Sequence, residues 1–436
     1  LETTRTAMLS VTAAALLLTA ACGSGDKGIG EAAKDDAAMP AGSEPAEVSF
    51  YLNSMPQAVF DAIAEKAKSK FPNYTLRSVP NTNAGGPSFD VMITSGNVPD
   101  IIVTRGVAEL EKRGLSYDAN DLIKKTKFDL SRIEPALLEQ MKNDAGGKLT
   151  GLPMSSSVRA LHYNKDLFDQ FGIPYPKDGM TWDDVYETAK RMTRLEGGVQ
   201  YRGYVERWMD TFFAFNPYGE TYLSLTEDKA AVNTDGWRKV IENFKRFYTI
   251  PGLKFDAKTI NKEQDWREFI KGLGAMTVFT SRNFMDWKFQ WDIVSLPTYK
   301  DKPGVAGPAD STNLYLTASS KNKEAAFQVA AWIVSDEMQA YLASDFGQFP
   351  VVKGEEVRKQ FLKNDPLYKG KNVNAFLYNK VTTVTPGRKP GLTVADGSTP
   401  FMKELEKMIL EDKDVNSTQR AAEEAVNKAI TAQKLK

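Results

Sequence analysis

This chain has almost no sulfur nucleophile and almost no imidazole. Of its 436 residues one is cysteine, Cys22, and one is histidine, His162. Cysteine nucleophiles, thiolate zinc centres and multi-histidine metal sites are therefore excluded. A Ser-His-Asp triad would have to use His162. No intrachain disulfide can form, so the fold must rest on its cores. An excess of charge is missing as well: Lys and Arg together number 56, and Asp and Glu together number 56. That balance gives no basic surplus for a nucleic-acid partner. No apolar run is long enough to span a bilayer as a helix. There is no EF-hand loop with alternating acidic ligands, no internal repeat, and nothing that calls for a cofactor. The adjacent acids Asp183-Asp184, Glu355-Glu356 and Glu423-Glu424 lie on helix-like stretches. Their side chains diverge and do not face each other across a bond, as an acid/base pair would.

What the chain does have begins near its N-terminus. Arg5 precedes an uncharged run through Met8, Leu9, Val11 and residues 13–18, and Thr19-Ala20-Ala21 leads into Cys22. A charge, a short apolar core and small residues in that order form a secretory signal peptide over residues 1–21. Ending on cysteine, it resembles a bacterial lipoprotein signal, although Thr19 stands where that signal usually has leucine. The resemblance implies acylation of Cys22 and an extracytoplasmic protein anchored to the cell membrane by that lipid. Residues 22–47 are rich in Gly, Ala, Ser, Pro and mixed charge, with no apolar period, and read as a flexible tether.

The body is 42% hydrophobic and 11% aromatic over the whole chain, enough for two or three cored domains. Val48–Leu52 reads as a strand. A helix with Val59, Phe60, Ile63, Ala67 and Phe71 follows, with Ser54 as a candidate cap and Pro56 in its first turn. Tyr74–Val79 is a second strand, Phe89–Ile93 a second helix, and Ile101–Val103 a third strand. This alternation predicts an α/β fold with a parallel sheet. Beyond residue 150 helices dominate, at 181–194 with Thr181 as cap, 235–248, 264–271, 323–344, 400–410 and 416–434. Strands are expected at 275–279, 292–296 and 315–318. Trp182, Trp237 and Trp332 sit at core spacing on helices.

Several stretches together resemble the family 1 extracellular solute-binding proteins of bacterial sugar importers, the maltose-binding-protein-like group. They are Thr94-Ser95-Gly96-Asn97-Val98-Pro99-Asp100-Ile101, Gly147–Pro153 with His162–Phe168, Gly172–Pro176 with Thr181-Trp182-Asp183, Phe269–Met276 with Trp291–Pro297, and Ser320–Ala326 with Gly347 and Pro350. The resemblance implies a two-lobed periplasmic-binding-protein-like α/β fold with a ligand cleft between lobes joined by hinge crossings. Lobe one would comprise 48–154 and 298–346, and lobe two 155–297 and 347–436. It implies a carbohydrate ligand, an oligosaccharide, handed to the permease subunits of an ABC importer by a monomeric, non-enzymatic receptor. A secreted glycoside hydrolase and a receptor for a non-sugar solute such as a peptide are the alternatives.

Sugar sites need planar hydrogen-bonding groups and aromatic rings. Candidates are Asn53 and Ser54 after the first strand, Thr104 and Arg105 after the third, and Ser155 and Ser156 at the first crossing. Trp208, with Tyr218 near it, aligns roughly with a stacking aromatic of maltose-type proteins. Arg282, with Phe284 beside it, replaces a stacking tryptophan of those relatives, and a guanidinium there would suit an acidic or uronic sugar. Asp310 and Asn313 precede a strand of the other lobe. His162, next to the crossing, reads as a structural histidine.

Overall fold

The computed structural model describes residues 44–206, 212–213, 216–260, 262–281, 287–380, 384–389 and 391–435. Ten strands fall in this part: β1 (Ala46–Leu52), β2 (Tyr74–Pro80), β3 (Ile101–Thr104), β4 (Gly151–Ser156), β5 (Arg159–Asn164), β6 (Arg194–Glu196), β7 (Val199–Tyr201), β8 (Met276–Thr280), β9 (Trp291–Ser295) and β10 (Ser311–Leu316). They form a five-stranded sheet in the order β2-β1-β3-β10-β4, a three-stranded sheet β8-β5-β9, and a hairpin of β6 and β7. Cys22, Trp208, Arg282 and Phe284 lie outside the described residues.

The first sheet is parallel only in part. β1 pairs parallel with β2 and β3, as the alternation predicts, with Phe50 opposite Ile101. β10 then inserts antiparallel between β3 and β4, placing Asn313 opposite Thr104 and Leu314 opposite Leu152. All four residues of β3 and all six of β10 are buried. Helices cover both faces of such strands, so their apolar content is nearly continuous. Close contact of β4 with β10 needs Gly151, because a Cβ there would lie 2.0 Å from the Leu314 carbonyl oxygen.

Local chemistry explains where the helices start. Ser54 is not a cap: helix Gln57–Lys70 begins after Pro56, whose carbonyl accepts from Val59 and Phe60, while the Ser54 amide donates to Val103 O at 2.9 Å. Thr181 does cap Trp182–Met192, in a box with Asp184. The single helix expected over 323–344 is two, Lys323–Ile333 and Asp336–Phe346, because the Ser335 hydroxyl accepts from the Met338 amide and starts a new helix. The C-terminal helices run Ser398–Leu410 and Val415–Lys434. β1 begins at Ala46, so the ordered body starts inside the expected tether.

The first large sheet packs one core, and the second packs two, one of them around Ala160, Phe279, Ile293 and Phe376. Phe50, Ile63, Ile102, Leu314 and Phe327 belong to the first, and Phe168, Trp182, Trp237, Phe244 and Phe401 to the second. Val351, Val352 and Val357 pack into the first core, so a lobe boundary at 347 divides residues that one core holds together. The buried Gln339 side chain makes the same join: it donates to Met154 O at 2.9 Å and accepts from the Val351 amide at 2.9 Å.

Candidate ligand cleft

The strand directions bring most of the sequence candidates to one edge. The carboxyl ends of β1, β3 and β4 and the amino end of antiparallel β10 lie at the same end of the first sheet. There Asn53 Nδ2 donates to Thr104 Oγ1 at 3.0 Å. Asn313 sits opposite Thr104, buried, and its amide is fully engaged. It donates to Arg105 O at 2.8 Å and Tyr315 Oη at 2.9 Å, and accepts from Ser311 Oγ at 2.7 Å. Asn313 therefore fixes the Arg105 backbone, and both its amide protons are committed within the protein.

Ser155 is buried opposite Thr312 on β10. The Ser156 amide donates to Phe349 O at 2.9 Å, and its hydroxyl donates to Asp310 O at 3.3 Å. Both serines hold the passage from the first sheet to the second. Arg105 and Asp310 line an open recess of about 520 Å³, mouth included, with Asp144 and Ser311. The Arg105 guanidinium is 3.7 Å from Asp310 Oδ2. That oxygen is buried yet accepts no hydrogen bond. Desolvation, with a smaller push from Asp310, raises the Asp144 carboxyl above its ordinary range against the Gln140 hydrogen bond.

The second sheet presents a different edge. The amino end of β5, with Arg159 opposite Thr280, meets the carboxyl ends of β8 and β9. Arg159, Trp182, Glu206, Phe212, Thr280 and Tyr299 line a recess of about 670 Å³ including its mouth. Trp182 and Phe212 meet edge-on at 5.3 Å. Glu206 is 5% exposed and accepts from Tyr204 Oη at 2.6 Å. Burial pushes the Arg159 guanidinium down to about 10, opposed by the Asp310 and Glu206 charges and aided by Arg105. These charges thus act on one another across the two sheets. Tyr218 stands apart from them. It lines a neighbouring recess that shares Trp182 and Tyr299, packs on Tyr299 and donates to Asp301 at 2.8 Å.

Arg159 and Glu206 were missed by sequence reasoning. The one signal for Arg159 was a lone charge at the head of the run Ala160–Tyr163. Trp182, assigned to packing, is buried and also forms a wall of the recess. His162 is structural as expected: buried among Phe279, Trp287, Trp291 and Phe376, with Nδ1 3.1 Å from Ala160 O. Among the described residues no group of three or more His, Cys, Asp or Glu is placed to hold a metal ion, and no helix is long and apolar enough to cross a membrane. Two of the three adjacent acid pairs serve locally. Asp183 pairs with Arg246 and Lys300, Asp184 caps its helix, and Glu355 and Glu356 both pair with Lys359.

A two-sheet body with its polar side chains gathered at facing edges is the arrangement of a solute receptor, and comparison with known proteins agrees. The family model for bacterial extracellular solute-binding proteins matches residues 62–370. The chain belongs to that family. The solute-binding protein is 24% identical over 291 residues to a binding protein of Brucella abortus (strain 2308), covering 63% of this chain and 68% of that one. A shorter stretch of 117 residues is 32% identical to the sn-glycerol-3-phosphate-binding periplasmic protein UgpB of the same organism, covering 25% of this chain and 26% of that one. Its fold matches the ABC substrate-binding protein Lmo0181 of Listeria monocytogenes, solved in complex with cycloalternan. That match has a TM-score of 0.68 at 20% identity and covers 89% of this chain and all of that one. The α/β, two-lobed fold expected from the sequence is thus the fold of the solute-binding protein, and membership of an extracellular family puts its work outside the cytoplasm.

Proposed function

We propose that this solute-binding protein captures a carbohydrate outside the cell and delivers it to the permease subunits of an ABC importer. The observation that carries the reading is the contrast between the two cleft edges. One offers Asn53, Thr104, Arg105 and Asp310 to hydroxyl groups; the other offers Trp182, Phe212 and Tyr299 to apolar C–H faces. A sugar has both kinds of surface, and sites for it combine both kinds of residue. The cycloalternan complex of the structural relative lends support. Capture requires no chemistry on the ligand, and Asp183, Asp184, Glu355 and Glu356 are already engaged in local ion pairs and a capping box. The receptor acts as a monomer tethered through lipid on Cys22. Its lobes are built on the two large sheets, with the segments near Ser157 and after Leu296 passing between them, so that hinge closure can enclose the solute.

The test is a thermal-shift screen against mono- and oligosaccharides. A ligand at a hundred times its dissociation constant stabilises the native state by about 2.7 kcal/mol. A hit with the sugar recovered intact supports a receptor, and a cleaved product would make the chain a hydrolase. For the anchor, mass spectrometry of the exported protein should find acylated Cys22 at the N-terminus; an unmodified N-terminus beyond Cys22 counts against it. The stretch shared with the glycerol-3-phosphate-binding relative favours a second reading, a phosphorylated polyol as solute.

A further inference from the structure

We infer that the cleft selects uncharged polyhydroxylated solutes and rejects anionic ones, with Asp310 as the residue that sets this preference. The inference rests on the carbohydrate reading above and deepens it. Among the described residues, each of the two cleft guanidiniums shares its recess with a carboxylate. Arg105 stands 3.7 Å from Asp310 Oδ2, and Arg159 lines a recess with the buried Glu206. Asp144 adds a third carboxylate to the recess of Arg105 and Asp310.

Burial limits the movement of both carboxylates. Glu206 is buried and takes the Tyr204 hydroxyl at 2.6 Å. Asp310 keeps its Oδ2 buried on the Arg105 side, while its backbone is anchored at the carbonyl by the Ser157 amide at 2.9 Å and the Ser156 hydroxyl at 3.3 Å. A carboxylate or phosphate brought to either arginine would therefore meet a like charge already standing in the same recess, which works against its binding. A hydroxyl meets no such barrier. Asp310 Oδ2 is buried and accepts no hydrogen bond, so a donated hydroxyl proton satisfies an acceptor that is otherwise costly to bury. The same oxygen offers nothing to a ligand carboxylate.

The experiment is calorimetric titration of the protein with maltotriose, mannotriose and galactotriose, and with trigalacturonate as the charged counterpart. The expected result is that a neutral trisaccharide binds at least tenfold more tightly than trigalacturonate. In Asp310→Asn, neutral affinity should fall about tenfold while the gap to trigalacturonate narrows, because Arg105 then loses the carboxylate nearest to it. Glu206→Gln, which still accepts from Tyr204, should narrow the gap as well, so the argument does not hang on one variant. Trigalacturonate binding as tightly as the neutral sugars would overturn the charge preference. Unchanged affinities for both classes in Asp310→Asn would remove Asp310 from the role. Silence from every saccharide would fail the carbohydrate reading and this inference with it, whereas the wrong charge order would fail this inference alone.

Discussion

Two aspartates stand at opposite ends of the first sheet, and their surroundings differ in one respect. Asp100, before β3, is 7% exposed and saturated: it accepts from the Ser49 amide at 2.9 Å, the Ser49 hydroxyl at 2.6 Å and the Ser320 hydroxyl at 2.6 Å. Asp310, before β10, has a buried oxygen that accepts nothing, with an arginine beyond hydrogen-bond range and an open recess beside it. A buried carboxylate whose acceptors are all filled ties strands together. One whose acceptor is left open holds a place for something else. Sheet register separates the two tasks, since Asp100 lies beside Ile101 and Thr104 lies at the far end of the same strand.

The sharpest way to break this contrast is Asp100→Ala. It orphans the donors from Ser49 and Ser320, and should cost about 3 kcal/mol of stability in urea unfolding while leaving solute affinity unchanged. A weakened affinity in protein that is still folded would mean that the two ends are not independent.

The next effect concerns the second sheet. Burial pushes His162 down to about 3, against an ordinary value of 6.5. Above pH 6.5 the ring is neutral in both folded and unfolded chains, and its contribution is constant. As pH falls from 6.5 toward 3, only the unfolded chain gains the proton, so stability is lost, by about 2 kcal/mol at pH 5. His162→Phe should flatten that part of the pH dependence of the urea midpoint; an unchanged slope would mean that the histidine is not buried neutral.

A smaller effect is expected for Asn53→Ala, which loses the bond to Thr104 and should weaken solute binding by about 1 kcal/mol. Full affinity in this variant would take Asn53 off the cleft edge. The smallest is the stability change in Asp310→Asn, under about 0.5 kcal/mol, because no hydrogen bond to the carboxylate is lost. A loss as large as that of Asp100→Ala would make the two aspartates alike and erase the comparison.

Much of this was legible in the chain because it is local. The alternation of Val48–Leu52, helix and Ile101–Val103 follows from periodicity, and Asn53, Thr104, Arg105 and Asp310 fall at strand ends where loops begin. The antiparallel insertion of β10 between β3 and β4 left no local mark. It is decided by which strand completes a sheet more than 150 residues earlier in the chain. Ser335 carries a capping signal that the apolar run around it masks. Arg159 and Glu206 escaped notice for a related reason: they come to one recess from β5 and from the segment at Tyr204–Glu206, and neither belongs to a motif. Asn313 shows another limit. The sequence puts it before a strand, whereas it lies within β10, and position alone does not reveal that its amide bonds to Arg105, Tyr315 and Ser311.

Asp310 also bears on how binding can be observed. Its carboxylate borders the recess, and its carbonyl oxygen accepts from Ser157 in the short passage between the sheets. One residue thus borders the recess at one end and the passage between the sheets at the other. A reporter dye attached at Ser157 through an engineered cysteine would sit one hydrogen bond from the contact it is meant to sense. The exported body contains no competing thiol beyond Cys22. The same geometry that holds the joint therefore makes this receptor a ready frame for an optical sensor of its own ligand.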